Sequence, residues 1–249
     1  MRKFSYALAL AALLLSTNTY AQTVSVATAS AKKAAQPWLY EGSDIPVDDT
    51  WTFGVLPNGL RYAVKKNDVP AGQVSIRVRI DAGELHENND EQGFAHLIEH
   101  LSFRGSTFVP DGEAKRIWQR FGVTFGSDSN AQTTPTQTVY KLDLPNATPE
   151  KLDESVKIIS GMIRNPRISP TALNAERAIV LAELRENSGA QMIYSDALRQ
   201  HAFQGQRLAN RSTIGTPETL QAADALRLSA FHDRWYRPEN AVVVMAGDT

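Results

Sequence analysis

Hydrophobic and polar residues alternate along residues 73–81 (QVSIRVRID), with Val74, Ile76, Val78 and Ile80 on one side and Ser75, Arg77 and Arg79 on the other. Successive strand side chains point to opposite faces, so this stretch predicts a strand with one buried face. Residues 51–56 and 60–65 alternate in the same way around Pro57-Asn58-Gly59, which predicts a β-hairpin. The spacing then changes. Residues 90–104 carry apolar positions at helical intervals, and Asn89 with Gln92 has the form of a capping box. This helix is expected to begin near Asp90 and to stop at Gly105-Ser106. A second helix is expected over 112–121, and β structure over 122–144, interrupted by the polar 126–130 and by Pro135.

Residues 149–164 form an amphipathic helix with Leu152, Val156, Ile159 and Ile163 on its apolar side. Ser169-Pro170 opens the next helix, which runs through Glu183 toward Asn187, with Leu173, Ile179 and Val180 as its apolar stripe. Further helices are expected over 192–203 and, as one piece, 217–236, before a closing buried strand at 240–245. The order of strands, helices and one returning strand predicts an α+β fold: a mainly antiparallel sheet with helices packed on one face.

Before this domain, Arg2 and Lys3 precede an apolar run at 6–16 that is too short to span a bilayer. Residues 1–21 read as a signal peptide with Ala21 last, 22–46 as a flexible leader partly ordered near Trp38 and Tyr40, and 47–249 as one domain. No other stretch approaches membrane-span length. The formal net charge of -1 gives no basic field, which argues against a nucleic-acid partner. Cysteine is absent, so any metal site must use His, Asp or Glu.

One segment carries chemistry. His96, Glu99 and His100 lie three and four apart on the expected helix and share a face. Two imidazoles at that spacing can reach one zinc ion, and the adjacent carboxylate can take a proton from a metal-activated water. A catalytic zinc site needs a third protein ligand and an open position. The helix after Pro170 offers Glu176, Glu183 and Glu186, and His86, His201 and His232 are rivals; spacing alone does not choose among them.

Residues 93–106 (GFAHLIEHLSFRGS), with 176–184 (ERAIVLAEL) downstream, resemble the pitrilysin/insulinase family of zinc peptidases. The likeness runs from about Trp51 to Asp248. It includes Ala82-Gly83 before the motif, Asn130-Ala131 with the following threonine-rich strand, and Tyr236-Arg237-Pro238-Glu239-Asn240 before the last strand. The resemblance implies His96, His100 and Glu183 as ligands of one Zn2+ per chain, Glu99 as general base, and Glu176, seven residues before Glu183, as a glutamate that assists the site without being a primary ligand. The separation of His100 from Glu183 is longer than in the family pattern, which implies extra residues in a loop.

The resemblance also implies a peptide substrate laid as a strand along Asn130, Ala131, Gln132 and Thr133. It implies a second homologous half, in the same longer chain or a partner subunit, that completes a closed chamber. It further implies direct hydrolysis of peptides or unfolded segments in the periplasm of a Gram-negative bacterium. The alternatives are a non-catalytic structural or chaperone-like subunit of the same family, a fragment inactive without its second half, and a metal-storage module.

Overall fold

A computed structural model describes residues 38 and 40–248; the expected signal peptide and most of the leader lie outside the described residues. The strands are β1 (Thr52–Val55), β2 (Arg61–Lys66), β3 (Val74–Ile80), β4 (Ser129–Thr133), β5 (Thr138–Leu144) and β6 (Ala241–Gly247). The helices are α1 (Phe94–Ser102), α2 (Glu113–Arg120), α3 (Pro149–Arg164), α4 (Pro170–Asn187), α5 (Ala190–Ala202), α6 (Pro217–Ala222) and α7 (Ala225–Trp235).

The strands form one open sheet in the order β1-β2-β6-β3-β5-β4. The last strand inserts into the middle, parallel to β2 and antiparallel to β3; every other pairing is antiparallel. The alternation in β3 sets the faces. Val74, Ile76, Val78 and Ile80 are buried, and across β5 so are Thr138, Tyr140, Leu142 and Leu144. Helix residues Phe94, Leu97, Ile98, Leu101, Ile158 and Leu173 complete this core, each nearly or fully removed from water. On the far side, Trp38 and Tyr40 meet Phe53 edge to face at 5.0 and 5.1 Å. The expected α+β architecture is therefore present: a mainly antiparallel sheet with helices on its buried face.

Several boundaries differ from expectation. The motif helix starts at Phe94 and ends at Ser102, shorter at both ends. Asn89 does not cap it, because its Oδ1 accepts instead from Arg211 at 2.8 Å. The cap comes from Glu87, whose two carboxylate oxygens accept from the backbone N–H groups of Gly93 and Ala95 at 3.0 and 2.8 Å. Free N–H groups at a helix start need an oxygen acceptor, wherever in the chain it comes from.

Gly93 takes φ +90, and a Cβ there would lie 2.8 Å from the Ile214 carbonyl oxygen. Only glycine suits that turn and that contact.

The single helix expected over 217–236 is two. Ala223 turns extended, and Asp224 caps α7 through the Arg227 N–H at 2.8 Å. Val156 and Ile179, expected on apolar stripes, are 40% and 49% exposed. Residues 123–125 contribute only an isolated bridge from Phe125 to Ser129, and β4 starts earlier than the polar run suggested.

Candidate metal centre

Helix α1 sorts its residues by angle. Phe94, Ala95, Leu97, Ile98 and Leu101 turn into the core, and this fixes the helix. His96 and His100 then face a groove on the other side. They stack edge to face with ring centres 4.7 Å apart. Helix α4 brings Glu183 to the same point: its Oε2 lies 3.9 Å from His96 Nε2 and 3.8 Å from His100 Nε2.

Among the described residues these three form the one group of His, Asp, Glu or Cys able to hold a metal ion, with ligand atoms within 4.8 Å of one another. Donors at zinc-bond lengths in a tetrahedral set lie about 3.3–3.5 Å apart, so each separation of Glu183 from a histidine needs to shorten by roughly half an ångström. Two imidazole nitrogens and one carboxylate suit zinc and leave a coordination position open. The residues fit the ion.

The surroundings prepare these donors. Glu176, almost fully buried, lies with Oε2 3.1 Å from His100 Nδ1. A carboxylate only accepts, so Nδ1 carries a proton toward Glu176, which leaves Nε2 as the nitrogen that faces the groove. Arg104 Nε sits 3.5 Å from the other Glu176 oxygen. Burial, with the His100 charge second, pushes His96 down to about 4, so it is neutral at physiological pH. Burial also acts to lower His100, but its bond to Glu176 and the charges of Glu99, Glu176 and Glu183 outweigh this and raise it.

Glu99 is 8% exposed, and burial raises its carboxyl above the usual range. The hydroxyl of Thr133 donates to its Oε2 at 2.5 Å and opposes that rise.

The other candidate ligands lie elsewhere. Glu186 and His201 are exposed. His86 packs on Trp235 with ring centres 4.7 Å apart. His232 is buried against the Ile163 carbonyl at 2.7 Å.

The groove has a volume of about 840 Å³, and Asn130, Ala131, Gln132 and Thr133 of β4 line it beside the two histidines, Glu99 and Glu183. Strand β4 is the edge of the sheet, so one side of its backbone is free to pair with another strand. Sequence reasoning did not find the opposite wall: Gln191, Met192, Ser195, Asp196 and Arg199 of α5, with Ser212, Thr213 and Ile214. The polar positions Gln191, Ser195 and Arg199, each four apart, were the available signal. The contact from Thr133 to Glu99 had no signal in the sequence, since it joins a helix to a strand 34 residues away.

Comparison with known proteins gives the family. The profile of the family described as Insulinase (Peptidase family M16) matches residues 62–216. The probable zinc protease PqqL of Haemophilus influenzae is 33% identical over 210 residues, covering 84% of this chain and 23% of that protein. The crystal structure of the periplasmic protease PqqL from Escherichia coli superposes with a TM-score of 0.78 at 31% identity, over 82% of this chain and 23% of that one. The structure of the first half of the same protease matches with the same TM-score and identity, over 44% of its length. The chain thus spans about a quarter of the full-length relatives it matches. The match over more than half of its residues, together with the shared fold, makes the chain a member of the insulinase family of zinc peptidases, family M16.

Proposed function

We propose that this chain is the zinc-holding N-terminal domain, residues 47–249, of a periplasmic zinc endopeptidase that hydrolyses peptides or unfolded protein segments. The observation that carries this reading is the convergence of His96, His100 and Glu183 on one point beside a buried Glu99. These three residues hold one zinc ion, and Glu176 orients His100. When bound, zinc supplies a Lewis acid and lowers the pKa of a coordinated water to about 7. Glu99 removes a proton from the attacking water and passes it to the leaving amine. Burial raises the Glu99 carboxyl above the usual range, the direction that favours a group which must both take up and give back a proton.

The substrate lies extended along the free edge of β4, where main-chain bonds grip a peptide with little demand on its sequence. The relatives are about four times as long, and one solved structure is titled as a first half, which supports a second homologous half closing over the groove. The name of the Escherichia coli relative supports the periplasm. No helix among the described residues is long and apolar enough to cross a membrane.

Metal analysis and peptide cleavage on the wild type and on Glu99→Gln test this. Zinc is retained by both proteins, and cleavage falls in the variant by at least about a hundredfold, the scale of a lost general base. Equal cleavage by the two proteins would remove Glu99 from its role.

A further inference from the structure

We propose that Thr133 is a positioning residue for Glu99, and that its side chain serves the carboxylate rather than the peptide. The inference rests on the reading of Glu99 as the base. Along β4, Asn130 and Gln132 are exposed, whereas Ser129, Ala131 and Thr133 turn toward the helices. A peptide paired to the strand edge is held by backbone groups, so the inward hydroxyl of Thr133 is free for another task. It donates to Glu99 Oε2 at 2.5 Å, inside a site where that carboxylate is almost wholly shielded from water. A β-branched side chain has little χ1 freedom in a strand, which makes the hydroxyl a fixed donor.

The backbone beneath Thr133 is fixed as well. Thr133 pairs with Thr138, whose hydroxyl donates to the Ala82 carbonyl at 2.9 Å. The following turn closes through Thr134 N–H to the Gln137 carbonyl at 2.8 Å, and the Leu85 N–H donates to the Pro135 carbonyl at 2.9 Å. Gly83 lies so close that a Cβ on it would stand 1.9 Å from the Thr134 carbonyl oxygen. The donor is therefore tied to its one neighbouring strand, β5, and to the segment that leads from β3 into α1.

The consequence is a mechanical link. The edge that receives the peptide also holds the group that moves the proton. A strand added to β4 restrains the anchor of Glu99 at the moment the carboxylate is needed, and a misplacement of about 1 Å in such a group can cost a hundredfold in rate.

The test uses this domain together with its second half, carrying Thr133→Val, which keeps the shape and removes the hydroxyl, or Thr133→Ser, which keeps the hydroxyl. Crystal structures, zinc content, and kcat and KM on one peptide are compared. In Thr133→Val the Glu99 carboxylate moves off its wild-type position, and zinc content is unchanged. Its kcat falls roughly ten- to a hundredfold, as for loss of a hydrogen bond to an ionised group, with KM within about twofold. Thr133→Ser restores most of kcat and the carboxylate position.

An unmoved Glu99 in Thr133→Val, or a raised KM with kcat intact, would overturn the proposal; the second result would make Thr133 a substrate contact. A wild type that cleaves no peptide even with its second half present, while Glu99 still moves in Thr133→Val, would refute the peptidase reading and uphold the positioning contact.

Discussion

Helices α1 and α5 both line the metal groove and are built in opposite ways. In α1, seven of nine residues are buried, and the two histidines are what remains for the groove. In α5, none of thirteen residues is buried, and Ile193, Tyr194 and Leu198 are 69%, 63% and 53% exposed. One wall is locked into the core; its carboxylate, Glu99, is held by Thr133 and its His100 by Glu176. The other presents a polar face to the groove and an uncovered apolar face outward. Groups that bind a metal or move a proton need sub-ångström placement, which close packing provides. A wall that only borders the space does not, and elements with few buried contacts are the ones that open most readily.

The comparison can be broken first at the metal. Glu183→Gln removes a ligand and is expected to lower zinc affinity by more than about a hundredfold, whereas Glu176→Gln, which acts through His100, costs about ten- to a hundredfold. Chelator competition on both variants measures this, and the reverse order would make Glu176 the ligand.

Stability gives the next contrast. Leu97→Ala in α1 is expected to destabilise the domain by about 2–5 kcal/mol, because Leu97 is fully buried. Leu198→Ala in α5 should stay within about 0.5 kcal/mol. Urea unfolding of the two variants compares the walls directly, and equal losses would mean that α5 is packed in solution.

The smallest effect concerns the cap of α1. Burial, opposed by the Ala95 and Gly93 N–H groups, pushes Glu87 up to about 8 from an ordinary 4.5. Between those values the folded state keeps a proton that the unfolded chain has lost, so stability falls as pH rises from 4.5 toward 8. Glu87→Gln should flatten that slope in pH-dependent unfolding. An unchanged slope would assign it to other groups.

Legibility followed the range of the interactions. Strand β3 and helices α3 and α4 were readable to within a residue or so, because alternation, the helical period of 149–164 and Ser169-Pro170 are local signals. The start of α1 was misread, because its cap, Glu87, lies outside the expected Asn89–Gln92 box and Asn89 is drawn away by Arg211. The break at Ala223-Asp224 was missed, because Asp224 reads equally well as a helical residue and as a cap. Ile179 looked like part of a stripe, yet no neighbouring element covers it.

The sequence by itself determined the strand–helix order, the α+β class and the pairing of His96 with His100 on one helical face, since each depends on residues within one or two turns of each other. The resemblance of several ordered segments added the family and a choice among the glutamates. Only the tertiary structure decided that Glu183, rather than Glu186 or another histidine, meets both imidazoles. It also showed which histidine Glu176 touches, His100, and that a threonine on the edge strand holds Glu99. The physical reason is the same throughout. Ligation and positioning join atoms a few ångströms apart in space and 34 to 87 residues apart along the chain, and that proximity exists only once α1, α4 and β4 have packed on one sheet.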